Sequence, residues 1–258
     1  MTTRLTARRE PIIRLQDVEL AFGDKIVLSG LSLDIFEGEI TCIIGLSGSG
    51  KSTTLRLING LRVPQKGRVF VKGADILAMS HNELIEMRKS IGFAFQFAAL
   101  FDSLTIGDNV ALPLRENTRM TEEEIRRTVH ETLDMVGLAD AIDRYPAELS
   151  GGMIKRAGFA RAVVTKPEIV LFDEPTSGLD PIVTHLLTKI IIGINRRLGA
   201  TLVVVSHDMQ SVFQMADRVA LLFEGAIIEE GTVEEIRNSA NPIVQQFIEG
   251  RDEGPIPI

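Results

Sequence analysis

The sequence predicts an α/β fold in which a parallel sheet is covered on both faces and a largely helical segment protrudes from it. Three observations lead there. Ile40–Ile44, Ile169–Phe172 and Leu202–Val205 are short and near-continuously apolar, the pattern of strands buried on both faces. Helical patterns with start and stop signals lie between such runs. The chain has 258 residues, 45% apolar and 24% charged, without internal repeats, enough for one or two packed cores with no disulfide or metal staple.

Taken in order, Ile12–Leu20 and Ile40–Ile44 read as the first strands, each bounded by glycine or charged turns. Residues 52–59 read as a helix, and Arg68–Val71 as a strand. Ser80-x-x-Glu83 is a capping box opening the next helix, and Ile91–Phe95 is again strand-like. From about Ile91 to Pro167 the pattern is mostly helical. Thr121 and Glu124 form a second capping box, Ile125, Val129, Leu133 and Val136 recur on one helical face, and Gly137 stops the run. Leu149–Met153 opens a helix continuing through Arg156, Ala160 and Val163. Ile169–Phe172, Thr201–Val205 and Val219–Phe223 complete the strands. The expected organisation is one domain over 1–258, with a core at about 12–90 and 168–232, a helical subdomain at about 91–167 and a tail at about 233–258.

Charge and composition exclude several classes. The 28 basic and 35 acidic side chains give a net charge of −7, which disfavours a nucleic-acid binder. Eight of the acidic residues lie within 224–258, opposed only by Arg237 and Arg251; they form a solvated face or an edge that steers a basic partner. The single cysteine, Cys42, rules out a disulfide framework and suggests a reducing compartment. No run approaches the ~18 apolar residues of a membrane span. Met1–Arg14 carries Arg4, Arg8, Arg9 and Arg14 but no apolar stretch, so no signal peptide is expected. A cytosolic globular protein is the expectation.

The chemistry concentrates in a few motifs. Gly45-Leu46-Ser47-Gly48-Ser49-Gly50-Lys51-Ser52 matches G-x-x-x-x-G-K-[ST], directly after a buried strand and before a helix. Glycines let backbone amides turn onto phosphate oxygens, and the helix N-terminus adds its positive end. Lys51 would then reach the β- and γ-phosphates, and Ser52 would ligate Mg²⁺. Ile169–Glu174 is a strand delivering two carboxylates at its C-terminal end, where ligands of α/β sheets bind. Asp173 can hold Mg²⁺, and Glu174 can accept a proton from an attacking water. Leu149-Ser150-Gly151-Gly152-Met153 is either an ordinary Ser-capped helix or a second anion site. Two phosphate-binding helix N-termini with one Lys51 would mean that the second serves a nucleotide held by another copy.

In order, the phosphate loop, Gln96, Leu-Ser-Gly-Gly, the Asp-Glu strand, Ser177-Gly-Leu-Asp180 and His207 closely resemble the ATP-binding subunit of ABC transporters, over Ile12 to Gly231. The resemblance implies a P-loop NTPase core with a parallel sheet, an antiparallel β subdomain and an inserted helical subdomain. It implies that Phe22 stacks on adenine, although a lone aromatic also suits a core. It places Thr53 with the nucleotide-binding loop, and Gln96 beside Mg²⁺ and the attacking water. It makes Asp180 the carboxylate that couples two active sites. His207 would hold the γ-phosphate and orient Glu174; on spacing alone it is equally a turn residue. His81, His130 and His185 read as surface.

Met153 departs from the common family pattern, where the signature ends in Gln. A Met-ended signature and the stretch from Gln96 to Leu114 are similar to ATPases of the Mla/MCE-type phospholipid transport systems. That likeness implies a homodimer using ATP and Mg²⁺, peripheral on the cytoplasmic face of the inner membrane. Its partners would be membrane permease subunits and an MCE-domain lipid-binding protein, with no nucleic acid. The permease groove would lie beside Gln96, lined by Phe97, Leu100 and Phe101, residues that subdomain packing would also explain. The ATPase of an importer of small polar solutes such as amino acids is the alternative, and a soluble nucleic-acid or ribosome ABC ATPase the weaker one. The tail, with Ile243, Val244, Phe247 and Ile248 on a short amphipathic turn and an apolar end at Gly254–Ile258, is expected to strap a neighbouring ATPase subunit or to be a solvated end.

Overall fold

The computed structural model describes residues 10–257, so the leader expectation for residues 1–9 and the last residue of the tail, Ile258, lie outside it. The chain runs β1 (Ile13–Phe22), β2 (Lys25–Ile35), β3 (Ile40–Ile44), α1 (Lys51–Ile58), β4 (Lys66–Val71), β5 (Ala74–Asp75), α2 (His81–Lys89) and β6 (Ile91–Ala94). It continues through α3 (Ile106–Asn117), α4 (Glu122–Met135), α5 (Gly151–Val163), β7 (Ile169–Asp173), α6 (Pro181–Leu198), β8 (Thr201–Val205) and α7 (Met209–Met215). β9 (Arg218–Phe223), β10 (Ala226–Thr232), α8 (Val233–Arg237) and α9 (Pro242–Glu249) close it.

The main sheet has the order β10-β9-β3-β8-β7-β6, parallel throughout except for β10. β3, β7 and β8 are buried at every position, as their unbroken apolar runs require. A second sheet, β2-β1-β4-β5, is antiparallel and packs its apolar side on α1 and the main sheet through Leu15, Leu28, Leu55 and Val69. The α/β class and the antiparallel subdomain are therefore present as expected.

β2 and β10 have no counterpart in the sequence reading. Gly30, at φ 72°, sits in β2, and the β1–β2 register shifts alongside it, so no clean alternation survives. β10 is an edge strand whose Glu229 and Glu230, on opposite faces, accept from Ser239 and pair with Arg218, respectively.

Helices α3, α4 and α5 pack together on the other side of the sheet, with Ile106, Val110, Val129, Leu133 and Phe159 in a core continuous with Phe172. The capping boxes at Ser80 and Thr121 both form, and Ser150 caps α5 by accepting from the Met153 amide. α4 ends at Met135, and Gly137 is left-handed at φ 66° just beyond.

The tail doubles back. Gly254, at φ 152°, lies against Gln246, where an added Cβ would sit 2.4 Å from the side-chain amide carbon. Ile256 donates its amide to Gln246 Oε1 at 2.7 Å and accepts from Gln246 Nε2 at 3.2 Å. Ile256 is thereby buried against its own α9, whereas the sequence pointed to a neighbouring subunit or to solvent. The glycines at 250 and 254 let the chain reverse, and the buried Gln246 amide satisfies the reversed backbone.

Candidate active site

β3 leads straight into the glycine loop. Gly45 has φ 154°, and a Cβ there would lie 2.3 Å from the Leu222 carbonyl oxygen. Only glycine lets the loop pass β9 this closely. The loop ends at Gly50, and α1 begins at Lys51 with no side-chain cap, leaving its first-turn amides to an anion. Lys51 is 5% exposed; its Nζ donates to the carbonyls of Gly45 and Leu46, both at 2.9 Å, and lies 3.7 Å from Glu174 Oε1. Burial lowers the Lys51 pKa from its ordinary value, and the Glu174 and Asp173 carboxylates oppose that shift.

β7, between β8 and the edge strand β6, delivers the acidic pair. Asp173 is buried, and its Oδ1 accepts from Ser52 Oγ at 2.6 Å. Burial raises its pKa, while the Ser52 hydroxyl and the Arg56 charge pull the other way. Glu174, 8% exposed, is a non-glycine residue at φ 48°, pinned by its amide to the Val205 carbonyl at 3.0 Å. Its Oε2 lies 2.8 Å from Nδ1 of His207, which follows β8. One carboxylate thus spans the lysine of the loop and the histidine of the next strand.

These groups line a cavity of about 820 Å³. Gly45, Leu46, Ser47, Gly48 and Gly50 form its floor, with Lys51, Ser52 and Thr53 at the start of α1. Glu174, His207 and Gln96, which follows β6, close another side. Phe22, 45% exposed, stands at the rim with the Arg62 guanidinium 5.4 Å from its ring centroid. Ser49 is not in the lining; its hydroxyl is buried beneath the loop with no partner among the described residues. Asp173 stands behind Ser52.

The remaining motif residues lie elsewhere. Ser150, Gly151, Gly152 and Met153 are outside the cavity at the start of α5. A Cβ on Gly152 would come 2.6 Å from Val183 Cγ1, so this turn is seated tightly on α6. Asp180 caps α6 by accepting from the amides of Ile182 and Val183, each at 3.0 Å, and also misses the cavity, although Ser177 reaches it.

The loop after Gln96 is rigidly held. Asn109, fully buried, bonds the backbone of Phe101, Leu104 and Thr105, and Arg161 donates to the carbonyls of Ala98 and Ala99. Phe97 is left 83% and Phe101 57% exposed, so subdomain packing does not account for them.

Two contributions to the site were not in the sequence reading. Gln246, Phe247, Arg251, Asp252 and Ile256 of the tail form one wall of the same cavity. Lys155 of α5 reaches the Glu174 carbonyl oxygen at 3.1 Å. Neither leaves a sequence signal, because one depends on a chain reversal and the other on a bond to backbone.

The donor set suits a hard cation. Asp173 and the Ser52 hydroxyl present adjacent oxygens, and no group of three or more His, Cys, Asp or Glu among the described residues could hold a metal unaided. Mg²⁺ would complete its shell with phosphate oxygens and water, its usual habit. No helix among the described residues is long and apolar enough to cross a membrane.

Residues 28–177 match the family model for ABC transporters. The chain is 40% identical to the intermembrane phospholipid transport system ATP-binding protein MlaF of Haemophilus influenzae, over 95% of this chain and 93% of that protein. It is 41% identical to mkl of Mycobacterium leprae, named a "Probable ribonucleotide transport ATP-binding protein", over 95% of this chain and 70% of that one. A dimeric ATP-binding cassette solved in a post-hydrolysis state with ADP and phosphate superposes with TM-score 0.79 at 34% identity, covering 86% of this chain and 98% of its own.

Proposed function

From the premise that this chain belongs to the ABC transporter family, as one of its ATP-hydrolysing subunits, we propose that it is the motor of a phospholipid transporter working with an MCE-type partner. The observation that carries the motor reading is a separation. Lys51, Ser52, Glu174 and His207 gather at one cavity with Asp173 behind Ser52, while the turn at Ser150–Gly152 lies outside its lining. Two copies arranged head to tail would bring the partner's turn over each cavity. The solved dimeric cassette makes that arrangement plausible for a chain of this fold.

In this reading the loop amides and Lys51 bind the β- and γ-phosphates, with Phe22 against the adenine. Ser52 and Asp173, with Gln96, would hold Mg²⁺, which would supply charge neutralisation to the phosphates. Glu174 takes the proton from the attacking water, and His207 holds the carboxylate in place. A phosphate entering the loop competes with Glu174 for the Lys51 ammonium, freeing the carboxylate for its task. Closure of the two copies acts on permease loops seated at Phe97, Leu100 and Phe101, on the cytoplasmic face of the membrane.

The choice of cargo rests on Met153, on the Gln96–Leu114 stretch and on the likeness to MlaF. The mycobacterial relative is equally similar and carries the name of a ribonucleotide transporter, so a small polar cargo is the second reading. Purifying the tagged chain from membranes and identifying its companions separates them. An MCE-domain protein with a permease supports the lipid reading, and a permease with a soluble solute-binding protein replaces it. The shared site is tested by mixing Ser150→Arg and Lys51→Ala subunits. Each alone should fail to associate with ATP, and the mixture should recover association through one intact composite site. ATP-driven dimers of either variant alone would overturn the head-to-tail model.

A further inference from the structure

We propose that Lys155 is a positioning residue for hydrolysis, holding the backbone of Glu174 from α5 so that the alignment of the base depends on where α5 stands. The proposal rests on the reading of Glu174 as the base.

Glu174 occupies a backbone conformation that it would not adopt unaided. At φ 48° a side chain with a Cβ is strained, and such strain persists only where the surroundings enforce it. Three bonds do so. The Glu174 amide donates to Val205, and its carbonyl oxygen accepts from the Ser177 amide at 3.3 Å and from Lys155 Nζ at 3.1 Å. The next residue is Pro175, which has no amide proton to contribute. The Val205 and Ser177 bonds come from the sheet and from the turn itself. Only Lys155 reaches in from a helix outside the sheet.

Its surroundings mark this lysine as more than a surface charge. It is half-buried, and burial lowers its pKa while the nearby Glu174 and Asp173 carboxylates raise it. Together with Lys51 of α1 it brings a second cation to Glu174, this one from α5.

The helix that carries it connects three places. Lys155 lies five residues beyond the Ser150 cap, about 7.5 Å along the axis. Arg156 donates to the carbonyls of Val136 and Gly137 at the end of α4, and Arg161 to those of Ala98 and Ala99 beside Phe97. All three cations bond to main-chain oxygens. A shift of α5, from phosphate docking at Ser150 or from load on the Phe97 loop, therefore reaches the Glu174 peptide through Lys155.

The test is steady-state ATP hydrolysis by the full chain in its purified transporter complex, for Lys155→Met and Lys155→Arg. Lys155→Met should lower kcat about tenfold or more, the scale of a misaligned reacting group, with KM for ATP within twofold of wild type. Lys155→Arg, which keeps charge and donors, should stay within about threefold of wild type. Added to Glu174→Gln, Lys155→Met should cause no further loss, because both act on one step. An unchanged kcat in Lys155→Met, a loss carried by KM, or an Arg variant no better than Met overturns the proposal. Should Lys155→Met not fold, as followed by thermal unfolding, Lys155→Gln is judged by the same criteria. Failure of the premise looks different: Glu174→Gln would then itself turn over ATP normally, whatever Lys155 does.

Discussion

Replacing Glu174 by Gln isolates basicity from geometry. The side chain keeps its size, and an amide oxygen or nitrogen can still meet His207 Nδ1, now 2.8 Å from Oε2. Lys51 loses a carboxylate 3.7 Å away but keeps two carbonyl acceptors at 2.9 Å, so its ammonium is not stranded. The folding cost should therefore fall well short of the roughly 3–5 kcal/mol of an uncompensated buried charge. What disappears is the proton acceptor. General-base loss costs about 10²–10⁴ in rate, or about 2.7–5.4 kcal/mol of transition-state stabilisation. Single-turnover hydrolysis should fall by that factor while binding of a fluorescent ATP analogue stays within a few-fold, and ATP should hold the dimer closed on a sizing column. Turnover near wild type with normal binding would remove Glu174 from the mechanism and leave His207 without a partner to orient.

Lys51→Ala differs in kind, since it removes the charge facing the loop: nucleotide affinity itself should drop by tenfold or more in equilibrium binding, about 1.4 kcal/mol or greater. Specific activity of the isolated chain should rise with protein concentration, because each cavity lacks the Ser150 turn; a flat profile under dilution would mean that one chain suffices. Cys42 is fully buried on β3 with its thiol pKa pushed up, so thiol reagents at neutral pH should label it only after unfolding. Truncation after Glu249 removes both bonds between Gln246 and Ile256 and the part of one cavity wall made by Arg251, Asp252 and Ile256, so KM for ATP should shift at least about threefold, roughly 0.65 kcal/mol. An unchanged KM would separate the tail from nucleotide binding.

What could be read from the sequence follows from where each constraint is local. Ile40–Ile44, Ile169–Asp173 and Thr201–Val205 are buried on both faces, so their apolar runs announce them, and the motif groups sit at their ends. The caps at Ser80, Thr121 and Ser150 are set within four residues and were equally visible. β2 was hidden because Gly30 and the register shift break its period. Gln246 read as an ordinary polar helix residue, yet it is 4% exposed and holds the returning tail. Lys155 left no trace because its partner is a carbonyl nineteen residues away, and any residue type supplies a carbonyl.

The same distinction bears on how the cassette works. The bonds that build the cavity floor are short in sequence or fixed by the sheet: the glycine loop, the contact of Ser52 at the start of α1 with Asp173 at the end of β7, and the Glu174–Val205 bond. They are expected to persist through a cycle, because breaking them means breaking the core. The bonds made by α5 are single side chains reaching main-chain oxygens of three other segments. Each can lengthen or let go without opening apolar surface. The body of α5 is held differently, since Ala157, Phe159, Ala160 and Val163 are buried and Phe159 packs edge-on against Phe172 of β7. α5 is also where the Ser150 turn, the exposed Phe97 loop and the strained Glu174 peptide are joined. On the proposed reading of Glu174 as the base, its left-handed conformation rests in part on the Lys155 bond, which a single chain already makes beside the Val205 and Ser177 bonds.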